Sequence, residues 1–522
     1  MKTFVSIFRK LIRGQITTFD RMIFHGYLTS FFPKGAFKRF LCSQHVLLKD
    51  FGRYVNKASV RVKEYAQQIA QEAGRPYIPL QQTMTKRRGK SKEDLAREIA
   101  QRDGVTEGLI CVVSALENCT SFDVEGNRQE QKLEVVTKRR KCLHFYFYLF
   151  DYEFGFMHVR LQSWFPFSIQ VYINGREWLG KQMDKRGIRY ERYENSFLEF
   201  GRGEVVQRLC KRFARKKWPK DLHSFARTVN PLLPLIRKAG FGEYWWVLDQ
   251  AEIATDVMFR SRGVLASLMP DILKYAVTMF SSEDVLRFLG KKPHGNFTGE
   301  VTTDMKRRPE GYRVKHRVRG NSIKVYDKWS VLRIETTICQ PREFKVLRVI
   351  RRPRKKPVRV WKPMGKGVAN VWRYMQVGLQ ANSRYLEALA QVQLRGTAVK
   401  ELDGLCRPVR KGGKRYAKLQ PLSRTERDVF REILSTDHAI LGVRNRDVRE
   451  ALYRGAGPVS EEEARRRCAR VSRMLRKLWG HGLIYRVKKA NLYRVTRRGY
   501  RIMSSILSFH DEEFAEGYAA AS

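Results

Sequence analysis

The sequence is poor in acidic residues. Asp and Glu together number 52 of its 522 residues, against 103 Lys and Arg, which gives a formal net charge of +51. An excess of one sign this large opposes compact folding through self-repulsion unless a polyanion is bound. The shortage of acid therefore predicts a nucleic-acid partner, with DNA favoured and RNA as the alternative.

The sequence also lacks long apolar runs. One of the longest, CLHFYFYLF at residues 142–150, is far shorter than the about 20 residues that a membrane-spanning helix needs. The N-terminal stretch MKTFVSIFRKLIRG breaks its apolar run with charge before any cleavage-like site. Basic residues are spread over the whole chain instead of forming a juxtamembrane cluster. We expect a cytoplasmic protein without a membrane partner.

Paired cysteines are missing as well. The eight cysteines are scattered with no Cys-x-x-Cys spacing, so neither a disulfide framework nor a zinc ribbon is supported. We expect reduced thiols, several of them in cores.

Residues 421–508 alternate capped helices with a short hairpin. Ser423 and Ser460 each precede a glutamate by three residues, the spacing of a capping box, and Asn445 begins a helix between them. The third helix has apolar residues at 4, 3, 4, 3 spacing, which predicts one packed face and a cationic remainder. These apolar residues are Ala464, Cys468, Val471, Leu475 and Leu478. LIYRV and LYRVT then predict a hairpin.

This order of elements resembles the winged-helix DNA-binding domains. The resemblance implies that the third helix enters the major groove and that the hairpin is the wing. Arg466, Arg470 and Arg473 are then candidates for base or phosphate contacts, and Lys488 and Lys489 at the wing tip for the adjacent backbone. Winged helices also mediate protein contacts, and the sequence does not decide which arginine reads a base.

A strongly basic segment, REFKVLRVIRRPRKKPVRVWK at residues 342–362, precedes that region. Two prolines interrupt it, and we favour an extended arm along a phosphate backbone, with Trp361 available for stacking, over a solvated linker. The candidate phosphate contacts are Arg351, Arg352, Arg354, Lys355 and Lys356. A second basic stretch, residues 406–418, is predicted to be another linker.

The stretch GNSIKVYDKWSVLRIETTI, residues 320–338, predicts two strands joined by a two-residue turn. Side chains two apart in a strand share a face, so Lys324 and Tyr326 point the same way. Across the turn, Tyr326 is expected opposite Arg333 and Lys324 opposite Glu335. These four side chains form either a salt-bridged sheet face or a site.

The region from about 245 to 340 resembles rolling-circle replication initiators of plasmids and filamentous phages, through EIATD, KVYDK and LRIE. The resemblance implies that carboxylates hold Mg²⁺ or Mn²⁺ and that a tyrosine attacks a DNA phosphodiester. Asp256 and Glu335 match the metal ligands, Tyr326 the nucleophile, and Lys328 and Arg333 the accompanying catalytic positions. The chain departs from many relatives in lacking a His-hydrophobic-His pair.

Two other interpretations of this region stay open. Asp256, Asp304 and Glu335 are the acids of a carboxylate triad for two metals, as in transposase-type nucleases. Without catalysis, the hairpin residues are cross-strand pairs that stabilise it by about 0.2 to 1 kcal/mol each. His316 is a candidate single metal ligand, but a lone histidine in a basic strand is more often a phosphate contact or a surface residue.

These patterns predict a multidomain α+β protein with a β-rich central region, interleaved helices and a C-terminal winged helix. Two β-rich sets suggest a tandem arrangement, although no residue-level repeat is found. The expected segments are a mixed helical region (1–107), a β-rich α+β domain (108–200), an initiator-like α+β domain (201–341), a basic arm and helix linker (342–420), the winged helix (421–508) and a tail (509–522).

Across most of its length the chain also resembles a group of basic bacterial proteins of no established activity, through GFMHVRLQSWFPF, GNFTGE, RVKHR and SIKVYDK. The resemblance implies a bacterial or mobile-element setting. The expected function is DNA binding in the replication or mobility of a genetic element, with metal-dependent nicking or strand transfer as its catalytic form. The alternative is a non-catalytic DNA-binding or RNA-binding component. The oligomeric state is not predicted.

Overall fold

The computed structural model describes residues 2–80, 91–291, 299–308, 311–352, 355–390, 404–455, 457, 459–487, 490–508 and 510. The chain forms two compact units. Unit 1 comprises residues 1–15, 255–336 and 379–522, and unit 2 comprises residues 16–254 and 337–378. Both contain helices and strands, which confirms the multidomain α+β class.

The first half of the chain contains, in order, α1 (Lys2–Ile7), β1 (Ile12–Tyr27), α2 (Ala36–Ser43), α3 (Phe51–Glu72), β2 (Tyr77–Leu80), α4 (Lys92–Arg102), β3 (Gly108–Asn127), β4 (Lys132–Asp151), β5 (Gly155–Gln162), β6 (Ile169–Asn174), α5 (Gly175–Asp184), β7 (Tyr190–Tyr193), β8 (Ser196–Phe200), α6 (Gly203–Ala214), α7 (Trp218–Val229), α8 (Leu233–Lys238) and β9 (Trp245–Phe259).

The second half contains α9 (Arg262–Thr278), α10 (Ser282–Phe288), β10 (Val301–Arg308), β11 (Gly311–Val318), β12 (Asn321–Lys328), β13 (Val331–Ile338), β14 (Lys345–Arg352), β15 (Lys355–Pro363), α11 (Val371–Leu389), β16 (Val409–Lys411), β17 (Lys414–Tyr416), α12 (Arg424–Ile433), α13 (Thr436–Leu441), α14 (Asn445–Leu452), α15 (Glu461–Gly480), β18 (Ile484–Arg486), β19 (Tyr493–Val495) and α16 (Arg497–Ser508).

The main sheet of unit 2 has the strand order β9-β1-β6-β5-β4-β3-β2. Neighbours from β3 to β6 and the pair β1 and β6 are antiparallel, whereas β2 lies parallel to β3. Aromatic and β-branched residues dominate the inward positions of these strands, including Phe145, Phe147, Val159 and Val171. Such side chains pack well on a pleated surface, which is why the β-formers of this region were recognisable in the sequence.

Unit 1 repeats the same order of strands on a smaller scale. Its sheet runs β10-β11-β12-β13-β9, and β10, β11 and β12 pair as antiparallel neighbours. In each unit, four consecutive strands form a meander whose last member lies beside the unit's opening strand: β6 beside β1, and β13 beside β9. The two β-rich sets that the sequence suggested therefore share a topology.

The prediction that residues 12–27 lie in a region of helix and loop was wrong. They form the 16-residue strand β1. Charged residues and glycines interrupt the apolar pattern of this strand, so it was not recognised in the sequence. Close packing explains the glycine at position 26. A Cβ there would lie 2.6 Å from Ile169 Cγ2 and 2.9 Å from the Trp246 ring. The glycine lets the neighbouring side chains approach the strand closely.

The six predicted segments do not coincide with the two units. β1, β9 and β13 each run from one unit into the other, so the units are interleaved along the chain. Segment boundaries inferred from composition assume contiguous domains, and nothing in local composition marks a strand that continues through a boundary.

The two basic stretches, predicted to be an extended arm and a linker, both form β-hairpins. Residues 345–363 form the antiparallel pair β14 and β15. Residues 409–416 form β16 and β17, and this hairpin packs on α15: Lys411 Nζ donates to the Trp479 carbonyl at 2.9 Å and lies 4.0 Å from the Trp479 ring centroid. The prediction of a linker at residues 406–418 was therefore wrong.

The expectation of reduced thiols throughout was also wrong. Cys119 on β3 and Cys142 on β4 form a disulfide. The two residues are 23 positions apart in sequence, and only the pairing of these strands brings them together. Among the described residues no single helix is long and apolar enough to cross a membrane, although the bent pair α9 and α10 passes that test jointly.

The helices and hairpin predicted for residues 421–508 are present in the expected order, with the additional helix α13. Ser423 and Ser460 accept from the amides of Glu426 and Glu463 at 3.4 and 3.3 Å, as expected of N-caps. The Glu426 carboxylate instead accepts from the Gln420 amide and from Lys477 Nζ, each at 2.6 Å. Its side chain thus ties α12 to α15.

Gly499 offers a test of how closely α16 packs on the backbone of Leu483, the residue that precedes β18. A Cβ at this position would lie 1.9 Å from the Leu483 carbonyl oxygen, which is backbone and cannot move aside. We expect Gly499→Ala to lower the free energy of unfolding by about 3 kcal/mol. The control is Gly263→Ala in α9, where a Cβ meets nothing within 4 Å. The control should leave stability unchanged or raise it slightly. Equal stability of both variants in urea denaturation would contradict this packing.

Candidate functional site

The hairpin of β12 and β13 brings its four polar side chains together, as the alternation predicted. The Tyr326 hydroxyl donates to Glu335 Oε2 at 2.7 Å, and Lys324 Nζ lies 2.6 Å from Glu335 Oε1. The Arg333 guanidinium carbon lies 5.9 Å from the Tyr326 ring centroid. We call Lys324, Tyr326, Arg333 and Glu335 the hairpin cluster.

The hairpin cluster is anchored by a buried ion pair with β9. Arg333 Nε donates to Asp256 Oδ1 at 2.8 Å, and its second donor reaches Oδ2 at 3.1 Å. The two side chains are 1% and 0% exposed. Two charges so deeply buried are tolerated only when they are paired and hydrogen-bonded, and here both oxygens of the Asp256 carboxylate accept from Arg333.

The ion pair of Arg333 with Asp256 leaves the predicted metal ligand Asp256 without a carboxylate oxygen that is not already engaged. Both Asp256 oxygens accept from Arg333, while the Glu335 oxygens contact Tyr326 and Lys324. A cation at Asp256 would have to replace the guanidinium, so the arrangement does not fit a metal shared by Asp256 and Glu335. Binding of Mg²⁺ or Mn²⁺ stays a prediction from the sequence, and we derive no chemical step through it.

The alternative carboxylate triad is not assembled. Asp304 on β10 contacts Arg317 at 3.0 Å and Lys306 at 3.7 Å. Among the described residues, neither Asp304 nor Asp256 belongs to a group of three ligand atoms close enough to hold one ion. Cross-strand pairing with β11 accounts for the position of Asp304.

His316 is a core residue, so its prediction as a surface or phosphate-contacting residue was wrong. Its ring is fully buried, with Nδ1 2.8 Å from Thr303 Oγ1 and Nε2 3.0 Å from the Tyr385 hydroxyl. Burial lowers the pKa of His316 to about 4. With both nitrogens engaged and the ring neutral at pH 7, it is not available to a metal ion or a phosphate.

A second buried polar contact, which was not predicted from the sequence, supports the hairpin from α11. Asn382 accepts from the Thr336 hydroxyl at 2.6 Å and donates to Thr255 Oγ1 at 3.1 Å. It thereby joins β13 and β9 beside the hairpin cluster. An asparagine within a helix is usually a solvent-facing residue, so only the packed structure identifies this role.

The turn of the hairpin presents an aromatic side chain. Trp329 is 42% exposed, and the Arg262 guanidinium lies 4.7 Å from its ring centroid. Its backbone adopts φ of 58°, a left-handed conformation that is costly for a residue with a Cβ. Lys328, the neighbouring predicted catalytic residue, is instead buried at the end of β12.

The third helix of the C-terminal region, α15, has the two faces that its sequence predicted. Val471, Leu475 and Leu478 are buried, and Arg466, Arg470 and Arg473 are exposed on the opposite side. Arg466 pairs with Glu462 one turn earlier at 2.6 Å, whereas Arg470 and Arg473 have no ion pair within the described part of the chain. We call these three residues the arginine stripe.

The other predicted phosphate contacts are only partly described. Arg351 is exposed in β14, and Arg352, Lys355 and Lys356 lie in the strands of the same hairpin. Arg354, Lys488 and Lys489 lie outside the described residues. Trp361, proposed for stacking, is 53% exposed, and the Arg373 guanidinium lies 5.2 Å from its ring centroid.

Comparisons of the chain with models of protein families, with curated proteins and with solved structures give no match.

Breaking the buried ion pair of Arg333 and Asp256 should cost much more stability than breaking an exposed ion pair on the same sheet. Arg333→Leu leaves the Asp256 carboxylate buried without its cation, and we expect the free energy of unfolding to fall by about 3 to 5 kcal/mol. The control is Arg317→Leu, which breaks the exposed pair with Asp304 on the same sheet and should cost at most about 1 kcal/mol. Similar costs for both variants in chemical denaturation would show that the Arg333 pair is not structurally decisive.

Proposed function

We propose that the protein binds DNA through the arginine stripe of α15. The observation that carries the proposal is the division of this helix into a buried apolar face and an exposed cationic face. An α-helix fits the major groove, and arginine is the side chain that most often contacts guanine edges and phosphates there.

The neighbouring elements support a groove-binding role. α12 and α14 pack with α15, and the short pair β18 and β19 follows it, the order seen in winged-helix domains. An isolated bridge between Val443 and Tyr493 adds a third strand position to that pair. The surplus of positive charge favours a polyanion of either kind, so RNA is the competing partner.

The arginine stripe gives the first functional test. We expect Arg470→Ala with Arg473→Ala to weaken DNA binding by about tenfold or more, because both guanidinium groups lack an acidic partner among the described residues. The matched control is Arg465→Ala with Arg476→Ala, two exposed arginines on the flank of the same helix. The affinities of the two double variants are measured by fluorescence anisotropy with labelled duplex DNA and with RNA of the same sequence.

Equal losses in the two double variants would show that only overall charge matters. A stronger effect on RNA than on DNA would identify RNA as the partner.

Tyrosine-dependent nicking is a second candidate function, and the contact between Tyr326 and Glu335 favours it. A carboxylate that accepts the phenolic hydrogen bond is placed to take the proton as the oxygen attacks phosphorus. The attack would form a phosphotyrosine bond and release the strand's own hydroxyl end. Lys324 contacts the same carboxylate at 2.6 Å, and the Arg333 guanidinium lies 5.9 Å from the Tyr326 ring centroid, so two cations lie near the proposed nucleophile.

Covalent capture tests this candidate. We expect incubation with single-stranded and supercoiled DNA, with Mg²⁺ or Mn²⁺ present, to give a protein-DNA adduct on a denaturing gel that Tyr326→Phe abolishes. Tyr312→Phe is the control, because Tyr312 is an exposed tyrosine on the adjacent strand β11. An adduct that survives in Tyr326→Phe would assign the nucleophile elsewhere. Binding without any adduct would favour a structural role for the hairpin cluster.

A further inference from the structure

A cleft of about 420 Å³ opens in unit 2 where α5, α6 and the turn between β4 and β5 meet. Its floor is aromatic: the rings of Trp178 and Phe213 stack with centroids 4.3 Å apart, and both are buried. Trp178 Nε1 donates to Glu153 Oε1 at 3.2 Å, and Lys216 Nζ donates to the same carboxylate at 2.8 Å. We call this opening the cationic cleft.

Its rim carries positive charge that is not neutralised locally. Lys216 is paired with Glu153 and with Asp221 at 3.3 Å. The remaining four cations of the lining are exposed and have no ion pair among the described residues. They are Arg208, Lys211, Arg212 and Arg215.

The spacing of these four residues gives α6 two opposed faces. Positions 208, 211, 212 and 215 recur every three or four residues and so share one side of the helix. Val206, Leu209 and Phe213 are buried. Arg215 is the C-cap of α6 and lies about 10 Å along the helix axis from Arg208. Four like charges over this distance raise the local potential and attract a chain of anions more strongly than a single one.

We propose that the cationic cleft binds the phosphodiester backbone of one nucleic-acid strand. Arginine and lysine are the usual phosphate contacts, and a row of cations along a helix matches the repeating charge of a strand. The aromatic floor is buried, so it is not available for base stacking, and binding here should be independent of sequence. The proposal rests on the proposed function only for the class of partner, because every residue involved belongs to unit 2.

The surroundings favour nucleic acid over an anionic membrane. Helices that lie in a membrane interface pair their basic face with exposed apolar side chains that enter the lipid. The apolar residues that line this cleft are buried, and what the lining exposes is charge. A concave surface whose exposed lining residues are charged suits a strand of phosphates.

The test uses the full-length chain with Arg208, Lys211 and Arg215 changed together to Gln. The matched control changes Lys57, Arg61 and Lys63 to Gln, three exposed cations of α3 in the same unit that do not line the cleft. Affinity for a labelled mixed-sequence oligonucleotide, single-stranded and duplex, is measured over a series of salt concentrations. Circular dichroism and thermal unfolding establish that both variants remain folded.

We expect the cleft variant to bind about tenfold more weakly than the control variant, for all sequences alike. The slope of log affinity against log salt should become shallower by about 2, as expected for three lost phosphate contacts. Equal affinities of the cleft and control variants, or an unchanged slope, would overturn the proposal.

The same substitutions in the Arg470→Ala and Arg473→Ala background separate this proposal from the DNA contact of α15. If the cleft substitutions weaken nucleic-acid binding both in the wild-type chain and in the stripe variant, the result supports the cleft proposal. This holds even if the stripe substitutions alone change nothing and the α15 proposal fails. No effect of the cleft variant, while the stripe substitutions weaken binding, overturns the cleft alone. Binding of the wild-type chain to vesicles with anionic lipid, but to no nucleic acid, overturns both.

Discussion

The two-to-one excess of Lys and Arg over acidic residues is the constraint on which the rest of this structure depends. A chain with so few carboxylates cannot pair every cation, and several of its acids are committed to contacts that hold elements together. Asp256 binds the buried Arg333, Glu335 binds Lys324 and Tyr326, and Glu426 joins α12 to α15. Cations left without an acid then concentrate where apolar packing is absent, at the solvent side of helices such as α15 and α6.

The residues of the hairpin cluster join neighbouring strands, and the proposed nicking reaction would use the same contacts. Arg333 is held by Asp256 through two hydrogen bonds, so its position is fixed from the neighbouring strand. Glu335 is held between a lysine and a phenol, an arrangement that either stabilises a sheet face or accepts a proton from Tyr326. The buried amide of Asn382 ties α11 to the strands that carry Asp256 and Glu335. A cluster supported from three elements has the rigidity that positioned catalytic groups require.

Local patterns predicted elements well and long-range contacts poorly. The helices capped by Ser423 and Ser460, the hairpin of β12 and β13 and the two faces of α15 were all recognisable, because capping and periodicity are properties of neighbouring residues. β1 was missed because glycine and charged residues interrupt its pattern, and the reason for Gly26 lies in Ile169 and Trp246. His316 was misplaced because its partners belong to other elements, Thr303 to the neighbouring strand β10 and Tyr385 to α11, 69 positions away.

By itself the sequence determined the α+β class, the excess of positive charge, the helical faces of α15 and the convergence of Lys324, Tyr326, Arg333 and Glu335 on one surface. These follow from composition and from periods of two and about 3.6 residues, which act over a few neighbours. Only the tertiary structure decided that Arg333 forms a buried ion pair with Asp256 and that Cys119 forms a disulfide with Cys142. It also decided that the cations of α6 line a cleft over an aromatic floor. Each of these depends on how separate strands or helices pair and pack, and no local pattern specifies which of them will pack together.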